Sequence, residues 1–335
     1  MKVAKFGGSS VAGAEQFKKV KAIVEADPER RVVVVSAAGK RNADDHKLTD
    51  LLYLCHAHLN YGVSCSDIFN TIEQRLTEIR DELGLNYDIE SELKELERTL
   101  SKDTPVDLLV SRGEYFTSKL MAEYLGYTFV DAADCVIFSF DGSIDYERSY
   151  ALIAEAAEKY GRIVIPGFYG RVSTGKIKVM TRGGSDITGS LAAVAVNADV
   201  YENWTDVSGI LMADPRIVDN PEPIKKITYA ELRELAFMGA TVLHEESVQP
   251  VREKGIPLNI RNTNRPQDPG TMIVGNIDRE NSDDRFITGI AGRKNFTIIT
   301  LQKHDMHTSH TLRQALEVFE RYHAPIEHIA LGLDS

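Results

Sequence analysis

The chain opens with a short apolar run, Val3 to Phe6, that stops at Gly7-Gly8-Ser9-Ser10. From about Ala14 to Ala26 the apolar positions recur at helical spacing, and Val32 to Val35 is again a continuous apolar run. Strand, glycine turn, helix, strand is the unit of a parallel sheet covered by helices, so the pattern predicts an α/β class.

From about Leu48 to Leu100 the pattern turns helical and heavily charged. The run IESELKELERTL places Ile89, Leu93, Leu96 and Leu100 on one face. This predicts a helical excursion from the sheet over about residues 48–104. Strand-type runs return at Tyr127 to Asp131, Ile163 to Pro166 and Val200 to Trp204, with helices predicted at about Ser149 to Tyr160 and Ser185 to Val196. The polar stretch Asn276 to Arg285 reads as a linker, dividing a large α/β domain (1–280) from a small one (285–335). In the small one a strand (Phe296 to Leu301), a helix (Thr311 to Tyr322) and a strand (Ile326 to Leu331) are expected. A β-α-β unit of this size leaves open sheet edges and is expected to continue or to pair with another chain.

Composition fits two globular domains: 335 residues, 43% hydrophobic and 27% charged. The net charge of -11, with basic residues in short scattered clusters, disfavours nucleic acid as a partner. No apolar run reaches the length of a membrane span and no signal-peptide pattern follows Met1, so a cytoplasmic location is expected. Cys55, Cys65 and Cys135 lack C-x-x-C spacing and read as reduced core thiols.

Four segments carry candidate chemistry. In KFGGSS, Lys5 to Ser10, adjacent glycines at a strand end let backbone N–H groups approach an anion, and Lys5 sets an ammonium beside them. TRGGSD, Thr181 to Asp186, repeats the device before a second helix with Arg182 in front. Either alone is an ordinary strand-to-helix turn; together they suit a phosphate chain held between two loops. NWTDVSGILMADPR, Asn203 to Arg216, begins where a strand ends, the place at which open α/β sheets bind ligands. It offers Thr205, Asp206, Asp214 and Arg216 to a nucleotide, against the plain reading of an Asp/Gly/Pro turn. SRGE, Ser111 to Glu114, presents a carboxylate for a substrate amino group, or simply starts a helix.

Two patterns are rejected. GRVSTGK, Gly170 to Lys176, fits most of a P-loop, but Ile177 occupies the metal-binding Ser/Thr position, so a hairpin is expected. His304, His307 and His310 recur every three residues in a loop without soft ligands, and His56 and His58 sit in a polar helix; none is read as a metal ligand.

KFGGSS, SRGE, GFYG, TRGGSD, WTDVSGI and ADPR stand in the order found in aspartate kinases of the amino-acid kinase family, and the chain resembles that family throughout. The resemblance implies an amino-acid kinase fold and transfer of the ATP γ-phosphoryl group, with magnesium, to the β-carboxylate of aspartate. It also implies the first step of lysine, threonine and methionine biosynthesis. Lys5, Gly7, Gly8, Ser9 and Asp186 would be catalytic, the first four at the transferring phosphate and Asp186 also beside the substrate ammonium; Ser36, Thr49, Glu114, Phe168, Arg182, Gly183, Gly184 and Ser185 would surround the amino acid; Thr205, Asp206, Leu211, Arg216 and Thr241 match nucleotide-lining positions, joined by Lys5 and Gly8. Thr241 stands where many members carry lysine, and Leu211 where some carry tyrosine. The C-terminal unit resembles the first half of an ACT module, through which such kinases sense lysine or threonine, and the resemblance suggests a homodimer. The competing readings are another amino-acid kinase and a catalytically inactive amino-acid sensor.

Overall fold

The computed structural model describes residues 1–180, 183–237, 243, 245–277, 287–292, 294–295, 297–301, 308–326 and 328–330. It separates into two compact units, Met1–Gly292 and Arg293–Ser335. In the first, β1 (Lys2–Phe6) runs through a single 3-10 turn, Gly8–Val11, into α1 (Ala14–Glu25) and then β2 (Arg30–Val35). Four helices follow: α2 (Leu48–Asn60), α3 (Ser66–Leu83), α4 (Ile89–Thr99) and α5 (Val106–Leu125). The chain returns through β3 (Thr128–Phe129), α6 (Ala132–Cys135), β4 (Ile137–Phe138), α7 (Tyr146–Tyr160), β5 (Ile163–Pro166), β6 (Tyr169–Val172) and β7 (Ile177–Val179). It continues with α8 (Gly184–Ala195), β8 (Val200–Thr205), β9 (Lys226–Thr228), α9 (Tyr229–Phe237), α10 (Glu245–Lys254), β10 (Leu258–Asn262) and β11 (Thr271–Val274).

The main sheet has the order β3-β5-β2-β1-β8-β10-β11-β9, parallel except for the β10–β11 pair. Its central strands are covered on both faces, which is why they read as unbroken apolar runs and not as alternation. The strand period of two sends Val32 and Val34 into the core shared with α7, α8 and α10, and Val33 and Val35 into the core shared with α1 to α5. This is the α/β fold expected. The helical excursion packs on the second core: Ile89 and Leu93 are fully buried there, with Leu96 and Leu100 against them.

Several local expectations change. SRGE does not start a helix; Ser111 to Glu114 lie inside α5, whose start is set by Pro105 six residues earlier. The first β-run is only Thr128–Phe129, because Asp131 caps α6 by accepting from the Ala133 N–H at 2.9 Å. α7 begins at Tyr146, earlier than periodicity suggested, because the Asp145 side chain accepts from Arg148 N at 3.1 Å. GRVSTGK is part of the antiparallel β6–β7 hairpin. The three cysteines are buried and free, and His56 and His58 bond the carbonyls of Thr104 and Ser64.

The second unit carries α11 (Thr308–Arg321), but residues 297–301 and 328–330 form no strand. The expected β-α-β unit is therefore present only as its helix among the described residues. Two short parallel strands have too few partners to hold a ladder against water. Phe296, Leu331, His304, His307 and most of the 276–285 segment lie outside the described residues.

Candidate active site

The site gathers at the carboxyl ends of β1, β2, β5 and β8. Lys5, next to last in β1, is only 7% exposed, and its Nζ lies 2.7 Å from Asp186 Oδ1 in the first turn of α8. Asn203, beside Lys5 in the β1–β8 register, donates its side-chain N–H to the same oxygen at 2.9 Å. Tyr201, two residues earlier on the same face, donates its hydroxyl to the Asp186 carbonyl at 3.2 Å. α8 comes this close because of Gly189, where a Cβ would stand 2.3 Å from the Tyr201 hydroxyl oxygen.

Two loops cross in front of this pair. Gly7 N–H donates to the Trp204 carbonyl at 3.0 Å and Gly39 N–H to the Gly8 carbonyl at 2.9 Å. A Cβ at Gly8 would lie 2.9 Å from the Ala37 carbonyl, so this glycine is required by backbone approach. Ser9 and Ser36 are half-buried at the crossing, and Ser36 N–H donates to the Phe6 carbonyl at 3.1 Å. A Cβ at Gly7 would lie 3.5 Å from Lys5 Nζ; without it the ammonium faces an open glycine turn. These bonds fold the two loops into a glycine-lined cradle beside a held cation, with the N–H groups of Gly7, Ser36 and Gly39 spent on shaping it.

The helix start opposite is built the same way. Gly183 adopts the left-handed conformation, φ 75°, and a Cβ at Gly184 would meet both Met180 and the Phe168 ring at 2.8 Å. Gly167 presses against Ser185, whose Oγ would be 2.5 Å from an added Cβ. Phe168 itself sits at φ +77°, a costly conformation for a residue with a side chain, and is pinned there by its N–H to Thr188 Oγ1 at 3.2 Å and by Met180 N–H to its carbonyl at 2.7 Å. The half-buried ring therefore projects from a rigid turn beside Ser185 and Asp186.

Glu114 enters from α5. Gly113 lets that helix touch the loop after β2, since a Cβ there would come 3.0 Å from Ala37 Cβ and 3.8 Å from Thr49 Oγ1. Glu114 is 5% exposed, and its Oε2 has no partner. Burial raises its carboxyl to about 8, opposed by the Ala37 N–H. A neutral acid with an orphan oxygen inside a polar site is poised to ionise when a cation arrives.

Of the nucleotide-type residues, Thr205 ends β8, while Asp206, Leu211 and Arg216 lie on the exposed excursion after it. Thr205 is half-buried and donates to Asp206 at 3.2 Å; Leu211 is exposed and bridges Pro223. Arg216, with a side chain 88% exposed, pairs with Asp214 at 2.6 Å and holds its carboxyl down to about 2. Arg182 and Thr241 lie outside the described residues. Sequence reading missed Asn203 and Tyr201; the signal for both was polar groups inside a buried strand, alternating onto the face of Lys5. Among the described residues no three His, Cys, Asp or Glu side chains cluster as a metal cage, and no helix is long and apolar enough to cross a membrane.

The Amino acid kinase family is matched over residues 1–262. Aspartokinase 3 of Bacillus subtilis is 36% identical over 349 aligned residues, covering 100% of this chain and 76% of its own length. The crystal structure of Clostridium acetobutylicum aspartate kinase superimposes with a TM-score of 0.92 at 47% identity, covering 99% of this chain and 76% of that one. Escherichia coli aspartokinase III, crystallised with aspartate and ADP, gives a TM-score of 0.78 at 25% identity over 99% of this chain and 76% of that one. Matched in fold and in sequence, the chain belongs to the amino acid kinase family, in its aspartokinase group.

Proposed function

We propose the following division of labour for the reaction of this chain, the ATP-dependent phosphorylation of aspartate. A β-carboxylate oxygen of aspartate attacks the γ-phosphorus in line; a P–O bond to the amino acid forms, the bond to the β,γ-bridging oxygen breaks, and the electron pair leaves with ADP. The nucleophile is already an anion, so no protein base is required, and catalysis reduces to positioning and charge stabilisation. Lys5 neutralises the transferring phosphoryl group, with the N–H of Gly8 and the Ser9 hydroxyl around it, while Gly7, its own N–H held by the Trp204 carbonyl, keeps the turn open beside the ammonium. Asp186, steadied by Asn203, holds Lys5 on target.

For the amino acid, Arg182 clamps the α-carboxylate, Glu114 takes the ammonium, and Ser36, Thr49, Ser185 and the N–H groups of Gly183 and Gly184 complete the shell under Phe168. Thr205, Asp206, Leu211, Arg216 and Thr241 line the nucleotide. Magnesium arriving with ATP would supply charge neutralisation at the phosphates. The wider reading is a cytoplasmic homodimer that opens the lysine, threonine and methionine route, with the half ACT-type unit after residue 280 too short for a complete effector site and a lysine or threonine effector belonging to the full-length protein. E. coli aspartokinase III has also been crystallised with lysine and aspartate.

The observation that carries the reading is the Lys5–Asp186–Asn203 triangle behind two glycine loops. The test is ATP consumption with magnesium and aspartate, glutamate or no acceptor, trapping the acyl phosphate with hydroxylamine. Aspartate-dependent hydroxamate that disappears in Lys5→Ala is expected. Equal hydroxamate from Lys5→Ala would remove the lysine from the mechanism.

A further inference from the structure

The same strands that present Lys5 and Asn203 to α8 present a different set of residues to the opposite face. Glu202 and Trp204 alternate with Tyr201 and Asn203 along β8, and Arg261 is the register partner of Trp204 on β10. There, beside α1, lies a cleft of about 490 Å³ whose walls include Lys2, Lys19, Arg30, Trp204, Arg261 and Asn264.

The charges in this cleft do not balance. Lys2 is matched by Asp27 at 2.7 Å, and Arg30 forks onto Glu202 at 2.6 and 3.1 Å. That uses both carboxylates. Lys19 donates to the side-chain oxygen of Asn264 at 2.8 Å and has no carboxylate of the cleft as a partner, its nearest acid influence being Glu15 one turn back on α1. Arg261 sits 4.5 Å from the centre of the Trp204 ring, donates through Nη2 to the Pro266 and Asp268 carbonyls at 2.7 and 3.4 Å, meets the already engaged Glu202 only at 3.8 Å, and leaves its Nε buried without an acceptor. More cations than carboxylates at one concavity, in a chain of net charge -11, mark a place where an anion is favoured.

We propose that this cleft is a second anion site, distinct from the phosphoryl-transfer site, that takes a small ligand through a phosphoryl group held by Lys19 and Arg261. It goes beyond the proposed reaction and lies on the reverse side of its glycine loop. The Trp204 carbonyl accepts the Gly7 N–H at 3.0 Å, and Thr263, in the cleft wall, shares a 2.7 Å hydrogen bond with Ser10. The wall of the cleft therefore includes residues that anchor the cradle from behind.

Trp204 is the chain's one tryptophan, so its fluorescence reports the cleft directly. Inorganic phosphate and pyrophosphate are titrated at fixed ionic strength into the parent chain, Lys19→Gln, Arg261→Gln and Lys5→Ala, with citrate as a carboxylate probe. Lys19 is exposed on α1, and its replacement removes the charge without opening the core. A saturable fluorescence change that persists in Lys5→Ala within twofold, and whose midpoint rises tenfold or more in both Lys19→Gln and Arg261→Gln, is expected. A parent chain without saturable response, or one whose response is lost in Lys5→Ala and kept in Lys19→Gln, overturns the proposal. A response to citrate at concentrations as low as those of phosphate overturns its assignment to the phosphoryl group.

Discussion

Asn203 and Lys5 share one oxygen of Asp186, at 2.9 and 2.7 Å, so the cation proposed to meet the phosphate is aimed by an acid that is itself aimed by an amide. The amide takes up lone-pair capacity that would otherwise let the carboxylate rotate. Hydrogen bonds to charged groups contribute about 1.5–3 kcal/mol. Replacing Asn203 by Ala is therefore expected to lower kcat roughly tenfold to a hundredfold by that measure, with little change in KM for aspartate. Steady-state kinetics with both substrates varied separates this from a binding defect, which would raise KM at constant kcat.

Glu114 supplies a pH signature. Its folded-state value, about 8, lies above the unfolded value near 4.5. Below pH 4.5 both states are neutral and burial costs nothing. Between 4.5 and 8 the unfolded chain ionises while the folded one does not, so stability falls as pH rises and levels off above 8. At about 1.4 kcal/mol per unit, Glu114→Gln should exceed the parent by several kcal/mol at pH 8.5 and match it at pH 5. Urea denaturation of the ligand-free chain at both values checks this; an equal offset at both would show that the carboxyl is not buried neutral.

The same residue predicts proton release. If Glu114 takes the aspartate ammonium, it ionises on binding, and calorimetry in buffers of different ionisation enthalpy should show up to one proton released at pH 7. The release should vanish in Glu114→Gln. Its persistence there would assign the proton to another group.

Gly189→Ala places a Cβ 2.3 Å from the Tyr201 hydroxyl oxygen. Overpacking of this kind costs about 1–3 kcal/mol. The helix must also move, and Asp186 moves with it, so kcat should fall together with Tm. Adding Tyr201→Phe removes the nearest clashing atom and should restore part of both; a double variant no better than Gly189→Ala would place the strain elsewhere.

Arg216 tests the nucleotide lip. Its pair with Asp214 is exposed, and such pairs contribute about 0–1 kcal/mol to stability. Arg216→Ala should leave Tm unchanged and raise KM for ATP, with KM for aspartate unaltered. Unchanged KM for ATP would remove Arg216 from the nucleotide site.

Period and punctuation in the sequence determined much of this protein. Unbroken valines in β2 announced a strand buried on both faces, and glycines after β1 and before α8 announced two tight anion-competent turns. These depend on local backbone geometry and on the two-residue repeat of a strand, which neighbouring residues specify. Motif order alone was enough to name the family. What tertiary structure decided depends on residues far apart in the chain. Asn203 stands beside Lys5 only because β1 and β8 are neighbours; burial pushes the Glu114 carboxyl up where Gly113 lets α5 close on the loop after β2; SRGE lies inside a helix whose start is set by Pro105. The two faces of the β1–β8 pair also separate a candidate catalytic lysine from a cleft richer in cations than in carboxylates, since alternation assigns faces but only the assembled sheet shows what covers each.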